Sequence, residues 1–118
     1  MCVDSFVVPV PTKNLNAYKK MSKKCQKVWY DHGAVDYQEY VADDVKPGKW
    51  TSFPQSVKLK PDETVVFSWI GYKSRKDRDR VNKAVMADPR MKSMMNMSKA
   101  PFDGKRMIYG GFKLLVEA

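Results

Sequence analysis

The chain has 118 residues, 22 Lys+Arg against 13 Asp+Glu, a formal charge of +9, one His and two Cys. A compact monomer of this size exposes about 6,600 Å² and buries about two thirds of its extended surface; with 43% hydrophobic and 12% aromatic residues, a disordered basic tail is excluded. No apolar run approaches the roughly 20 residues of a membrane helix, no charged-then-apolar leader opens the chain, and Cys2 and Cys25 make no disulfide framework. One cytoplasmic domain over residues 1–118 is the expectation.

Residues 3–10 (VDSFVVPV) are β-branched and aromatic and predict a first strand, broken by Pro11 and Thr12. Thr12 is placed to cap the helix that follows. Over residues 13–32, Leu15, Tyr18, Met21, Cys25, Val28, Trp29 and His32 fall within one arc of roughly 140° at 100° per residue. Lys13, Lys19, Lys20, Lys23, Lys24 and Lys27 lie opposite, and Gly33 supplies a left-handed stop. Residues 34–42 alternate loosely and predict a second strand, followed by the turn-rich Asp43–Gly48. Val57 and Leu59 alternate with polar neighbours between Pro54 and Pro61, predicting a short strand or hairpin arm.

Residues 64–72 (TVVFSWIGY) carry the strongest strand signal, apolar at odd and even positions alike. Ser74 to Asp77 forms a capping box with Asp in the Glu/Gln place, opening a helix that Asp88-Pro89 stops near Ala87. Its apolar face is thin: Val81, Ala84 and Val85. The Met-rich residues 90–99 predict a short helical turn or two, and 106–117 a last strand with a bulge or close backbone approach at Gly110-Gly111. The order β-α-β-(β)-β-α-β is the split βαβ of a ferredoxin-like α+β fold with an antiparallel sheet. Two helices cover one face of such a sheet. A second copy of the same sheet is the economical cover for the other, which predicts a homodimer.

Particular strings carry a family resemblance: FVVPVP, ADDV followed by GKWTSFPQSVK, ETVVFSWIGY, DPRM, and above all PFDGKRMIYGGF. The chain resembles the YbaA-like family of small bacterial proteins, a domain of unknown function, over roughly residues 3–116. The resemblance implies the dimeric α/β-barrel superfamily, which also holds cofactor-independent monooxygenases, heme-degrading enzymes and stress-response barrels. Fold membership does not choose among them. The lysine-dense first helix is more basic than the family pattern requires.

His32 is the one candidate catalytic base; the plainer role is a helix-end histidine bonded to a carbonyl, and the sequence shows no orienting carboxylate. Trp29, Trp69, Tyr72 and Tyr109 either line a pocket between helices and sheet or pack the core. Arg90 and Arg106 either clamp an anionic ligand, with Asp88 or Asp103 as acid/base or orienter, or pin the loops through Arg–Asp pairs. The expected ligand-binding set is therefore Trp69, Arg90, Asp103, Arg106 and Tyr109. Met86, Met91, Met94, Met95 and Met97 make an adaptable apolar surface rather than a Cu(I) site, for no Cys or His accompanies them. Cys25 faces the core and Cys2 is expected in a frayed N-terminus, so neither makes a convincing nucleophile.

No HExxH, CxxC, GxSxG, Walker loop or GxGxxG occurs, so neither metal nor cofactor is expected. The six lysines between Lys13 and Lys27, with Tyr30 beside them, offer nucleic acid at most weak, salt-sensitive, non-specific attraction. The leading expectation is a cytoplasmic homodimer with a small-molecule pocket between sheet and helices. A non-enzymatic stress or binding protein and a weakly RNA-associated protein are the alternatives.

Overall fold

The computed structural model describes residues 1–95 and 100–118. Four strands, β1 (Cys2–Pro11), β2 (Asp36–Val41), β3 (Glu63–Tyr72) and β4 (Ile108–Lys113), form one antiparallel sheet in the order β2-β3-β1-β4. Helices α1 (Leu15–Asp31) and α3 (Arg75–Ala87) connect β1 to β2 and β3 to β4, with a single turn α2 (Phe53–Ser56) and a short α4 (Pro89–Met95) between. This is the ferredoxin-like α+β fold. The chain is a slab of 39 × 38 × 20 Å, thin enough for one sheet and one helix layer.

Strand register decides the two faces. Val8 pairs with Val66 and both pack under α1 with Tyr18, while Cys2, Tyr72, Tyr37 and Ile70 pack against Val28, Val81 and Val85. Cys2 is therefore not in a frayed terminus: pairing with Tyr72 and Lys113 buries it. The opposite face carries Val7, Phe67 and Tyr40 in one row and Ser5, Trp69 and Gln38 in the next. The chain covers part of that face itself. Val57 is buried against Val7 and Val65, with Leu59 and Phe67 beside it. The remainder is open: Tyr40 is 51% exposed, Ile108 45% and Phe112 60%.

Several local expectations hold. Gly33 has φ +113°, ending α1; the Ser74 side chain accepts from the Asp77 N–H and starts α3. All six lysines on α1 and its approach are exposed. Among the described residues, no helix is long and apolar enough to cross a membrane.

Others need correction. Residues 12–14 form a 3-10 turn, and α1 begins after Asn14 with no side-chain cap, so Thr12 caps nothing. Val57 and Leu59 are not a strand: the Ser52 side chain accepts from the Gln55 N–H and starts α2, and Lys58 at φ +51° turns the chain back. Their alternation comes from a turn dropping two apolar side chains onto the sheet. The last strand is shorter than 106–117. Residues 104–106 make a 3-10 turn held by the Asp103 side chain, and Lys113 already pairs with Cys2, the start of β1. One further backbone bond, from the Leu114 N–H to the Met1 carbonyl at 3.1 Å, ends the pairing because β1 has run out.

Gly110-Gly111 is a close approach, not a bulge. The register is unbroken, and a Cβ on Gly111 would lie 3.3 Å from Asp4 Oδ1 and 3.5 Å from Arg78 Nη2. In the Met-rich segment Met91 is buried and Met94 packs against the core, while Met97 lies outside the described residues.

Candidate functional site

The charged residues singled out from sequence resolve into two separate braces. Arg106 donates from Nε to Asp103 Oδ2 at 2.9 Å, from Nη1 to Glu63 Oε1 at 2.7 Å and from Nη2 to Glu63 Oε2. Nη1 also donates to the Lys58 carbonyl at 3.0 Å. Arg106 holds both the Glu63 and the Asp103 carboxyl below the usual range. The brace ties the approach to β4 onto the start of β3.

The second brace gathers the end of α1 and the start of α4. Arg90 reaches Asp88 Oδ2 at 2.8 Å and Asp31 Oδ2 at 2.7 Å, while His32 Nε2 lies 2.8 Å from Asp88 Oδ2. Asp88 is the carboxylate beside His32 that the sequence did not reveal. Arg90 first, then His32, pull its carboxyl far below the ordinary aspartate value.

Trp69 and Tyr109 are not brought together. Trp69 stands on the open sheet face and donates from Nε1 to Asp36 Oδ2 at 2.7 Å, with Tyr40 and Phe67 at its sides. Tyr109 shares the other face with Phe6, on which it stacks at 6.2 Å, and is 74% exposed.

Two polar clusters under the helices were not found from sequence. In the first, the buried Asp4 carboxylate accepts from Arg78 Nε at 3.1 Å, the Tyr72 hydroxyl at 3.1 Å and Asn82 Nδ2 at 3.0 Å. Trp29 Nε1 donates to the Tyr72 oxygen at 3.2 Å. This cluster locks α1 and α3 onto β1 and β3, with every polar atom satisfied.

The second cluster centres on Glu39, whose carboxylate accepts hydrogen bonds from the Tyr18 and Ser22 hydroxyls of α1. The Tyr37 hydroxyl stands 3.5 Å from Oε2, and Gln26 Nε2 donates to the Tyr37 carbonyl at 3.0 Å. Burial lifts the Glu39 carboxyl above its usual range in spite of these donors. Burial, reinforced by the Glu39 charge, also raises both tyrosines, so they stay protonated, and pushes the Cys25 thiol up to about 11.

The cluster is a partition between two spaces. On the inside is a cavity of about 170 Å³ between α1 and the sheet, walled by Phe6, Val8, Met21, Trp29, Phe102 and Met107. On the outside is a cleft of about 600 Å³ between α1 and β2, with Lys19, Lys23 and Gln26 on its helical wall. Tyr18, Ser22, Tyr37 and Glu39 line both. A signal existed: Tyr18 and Ser22 are four apart on a helix, and Tyr37 and Glu39 two apart on a strand. Nothing in the sequence says that those two faces meet. Among the described residues, no group of three or more His, Cys, Asp or Glu side chains is gathered to hold a metal ion.

Residues 1–104 match the family model described as "Protein of unknown function (DUF1428)". The chain belongs to this family. It is 46% identical over 115 residues to the uncharacterized protein YbaA of Escherichia coli K12, covering 98% of this chain and 97% of the relative, and equally to YbaA of Shigella flexneri. Among solved structures it is similar to a dimeric ferredoxin-like protein from an uncultured marine organism. The TM-score is 0.53 at 8% identity, over 100% of this chain and 97% of the other. At that identity the likeness speaks for the fold of this family member.

Proposed function

We propose that the protein is a homodimer that binds a small molecule between α1 and the sheet, with Glu39 as the group that takes a proton or a hydrogen bond from the ligand. The observation that carries this reading is the Glu39 carboxylate on the wall shared by an apolar cavity and an open cleft. Burial makes that carboxylate a stronger base than an exposed glutamate, and the Tyr18 and Ser22 hydroxyls now on it show where a ligand hydroxyl would dock. In this reading Asp103 and Arg106 are positioning residues. They fix the turn between Phe102 and Met107, both of which wall the cavity. Arg90 and His32 likewise hold the lead-in to α4, where Met94 meets Cys25.

Surface area supports the dimer. The chain exposes 8485 Å², against about 6,600 Å² for a compact monomer of its mass. Part of the excess is the apolar half-face around Tyr40, Ile108 and Phe112. The relative of the same fold from the marine organism is itself dimeric.

Native mass spectrometry of protein purified at moderate salt tests both halves of the reading. A dimer carrying an extra mass, lost in Glu39→Ala while the dimer persists, is the expected result. A monomer, or an adduct undiminished in Glu39→Ala, overturns it.

A further inference from the structure

We propose that the ligand is a single-ring aromatic acid: the ring fills the inner cavity, the carboxylate meets Lys19 and Lys23 in the outer cleft, and a hydroxyl between them donates to Glu39. This rests on the pocket reading above and adds the ligand's chemistry to it.

Size sets the first part. An engineered apolar cavity of about 150 Å³ stays dry and takes up benzene. The inner cavity here is about 170 Å³, with aromatic rings and thioethers on its walls, room for one six-membered ring and little more. Charge sets the second part. Of the residues lining the outer cleft, Lys19 and Lys23 are the cations and Glu39 the sole acid, and both lysines are exposed at the mouth while Glu39 sits half-buried. Neither lysine has a carboxylate within ion-pair distance among the described residues, so both are free to meet an anion entering from solvent.

Connectivity sets the third part. Tyr18, Ser22, Tyr37 and Glu39 border both spaces, so a molecule occupying both passes Glu39. To pass it must replace one of the hydroxyl donors now on that carboxylate. A ligand hydroxyl does so without leaving the half-buried charge unpaired, whereas a plain methylene would leave it short of a donor.

The probe is 3-phenyllactate, which carries ring, hydroxyl and carboxylate in that order. The controls are 2-phenylethanol, which lacks the acid, and lactate, which lacks the ring. Titrations are followed by calorimetry and by the NMR signals of Tyr18 and Tyr37. The expected result is saturable phenyllactate binding that shifts both tyrosines, with each control weaker by about tenfold or more. The double variant Lys19→Ala/Lys23→Ala weakens phenyllactate by about tenfold, and Lys20→Ala/Lys24→Ala, on the same helix but outside the cleft, leaves it unchanged. Phenylethanol binding as tightly as phenyllactate, indifferent to Lys19 and Lys23, overturns the acid while leaving the pocket in place. Lactate binding as tightly overturns the ring. If none of the three moves the Tyr18 and Tyr37 signals, the proposal is overturned; whether the pocket reading falls with it is decided separately, by the Glu39→Ala adduct experiment.

Discussion

Glu39 shows how one side chain acquires chemistry from its surroundings. In an unfolded chain a glutamate titrates near 4.3; in the native protein burial raises it. Between those two values the folded state holds a proton that the unfolded state has lost. Stability from this group is therefore present at low pH and falls as pH rises through the window, the loss being complete above the folded value. Glu39→Gln removes the titration. The melting temperature of Glu39→Gln relative to wild type, followed from pH 4 upward, is expected to climb by a few degrees and then level off. A difference that does not change with pH would count against burial as the cause. The Asp4 cluster makes the opposite case, a buried charge fully paired. Tyr72 is wholly buried and its hydroxyl donates to Asp4. Tyr72→Phe is expected to cost about 1.5–3 kcal/mol in urea unfolding, the range for a hydrogen bond to a charged partner.

At the scale of elements, short-range rules fix the outcome where they act alone. The apolar arc of residues 13–32 became α1, two residues shorter at its start and one at its end, because Pro11 and a 3-10 turn delay the first helical bond. Residues 64–72 became β3 with Glu63 added. The weak capping box at Ser74 works as a cap. Since α3 has a thin apolar face, that cap matters to it, and Ser74→Ala is expected to lower stability by about 1 kcal/mol by chemical denaturation. The elements that depart from their local pattern are those whose form depends on a partner. Val57 and Leu59 alternate like a strand, yet they follow the α2 turn and pack onto the sheet face. The end of β4 is set by where β1 begins. Neither limit is written in the local pattern.

For the whole molecule, the deciding observation is a sheet with helices on one side and a half-covered apolar face on the other. The 53–59 segment shields Val7 and Val65, but Ile108 and Phe112 on β4 and Tyr40 on β2 stay exposed. A second sheet laid on this face would bury them and enclose the aromatic row of Phe53, Phe67, Trp69 and Tyr40. Phe112→Asp places a charge in the proposed seam without touching the helix-side core. It is expected to convert a dimer to a monomer by light scattering, with the circular dichroism of the fold retained. A variant that remains dimeric would place the interface elsewhere.

The sequence by itself determined the kind and order of the elements, the basic outer face of α1 and the two apolar faces of β3. These follow from periodicity, capping and chain order, which act over a few residues at a time. It also marked Arg90, Asp103 and Arg106 as charges with work to do in their loops. Only the tertiary structure decided their partners: Glu63 lies 43 residues from Arg106, and Asp31 lies 59 from Arg90. The same holds for Glu39, whose setting exists only because α1 docks across β2 and sets Tyr18 and Ser22 against it. A hydrogen bond acts over about 3 Å, and which side chains come that close is fixed by how a helix lies on a sheet, a property of packing that no stretch of the chain carries alone.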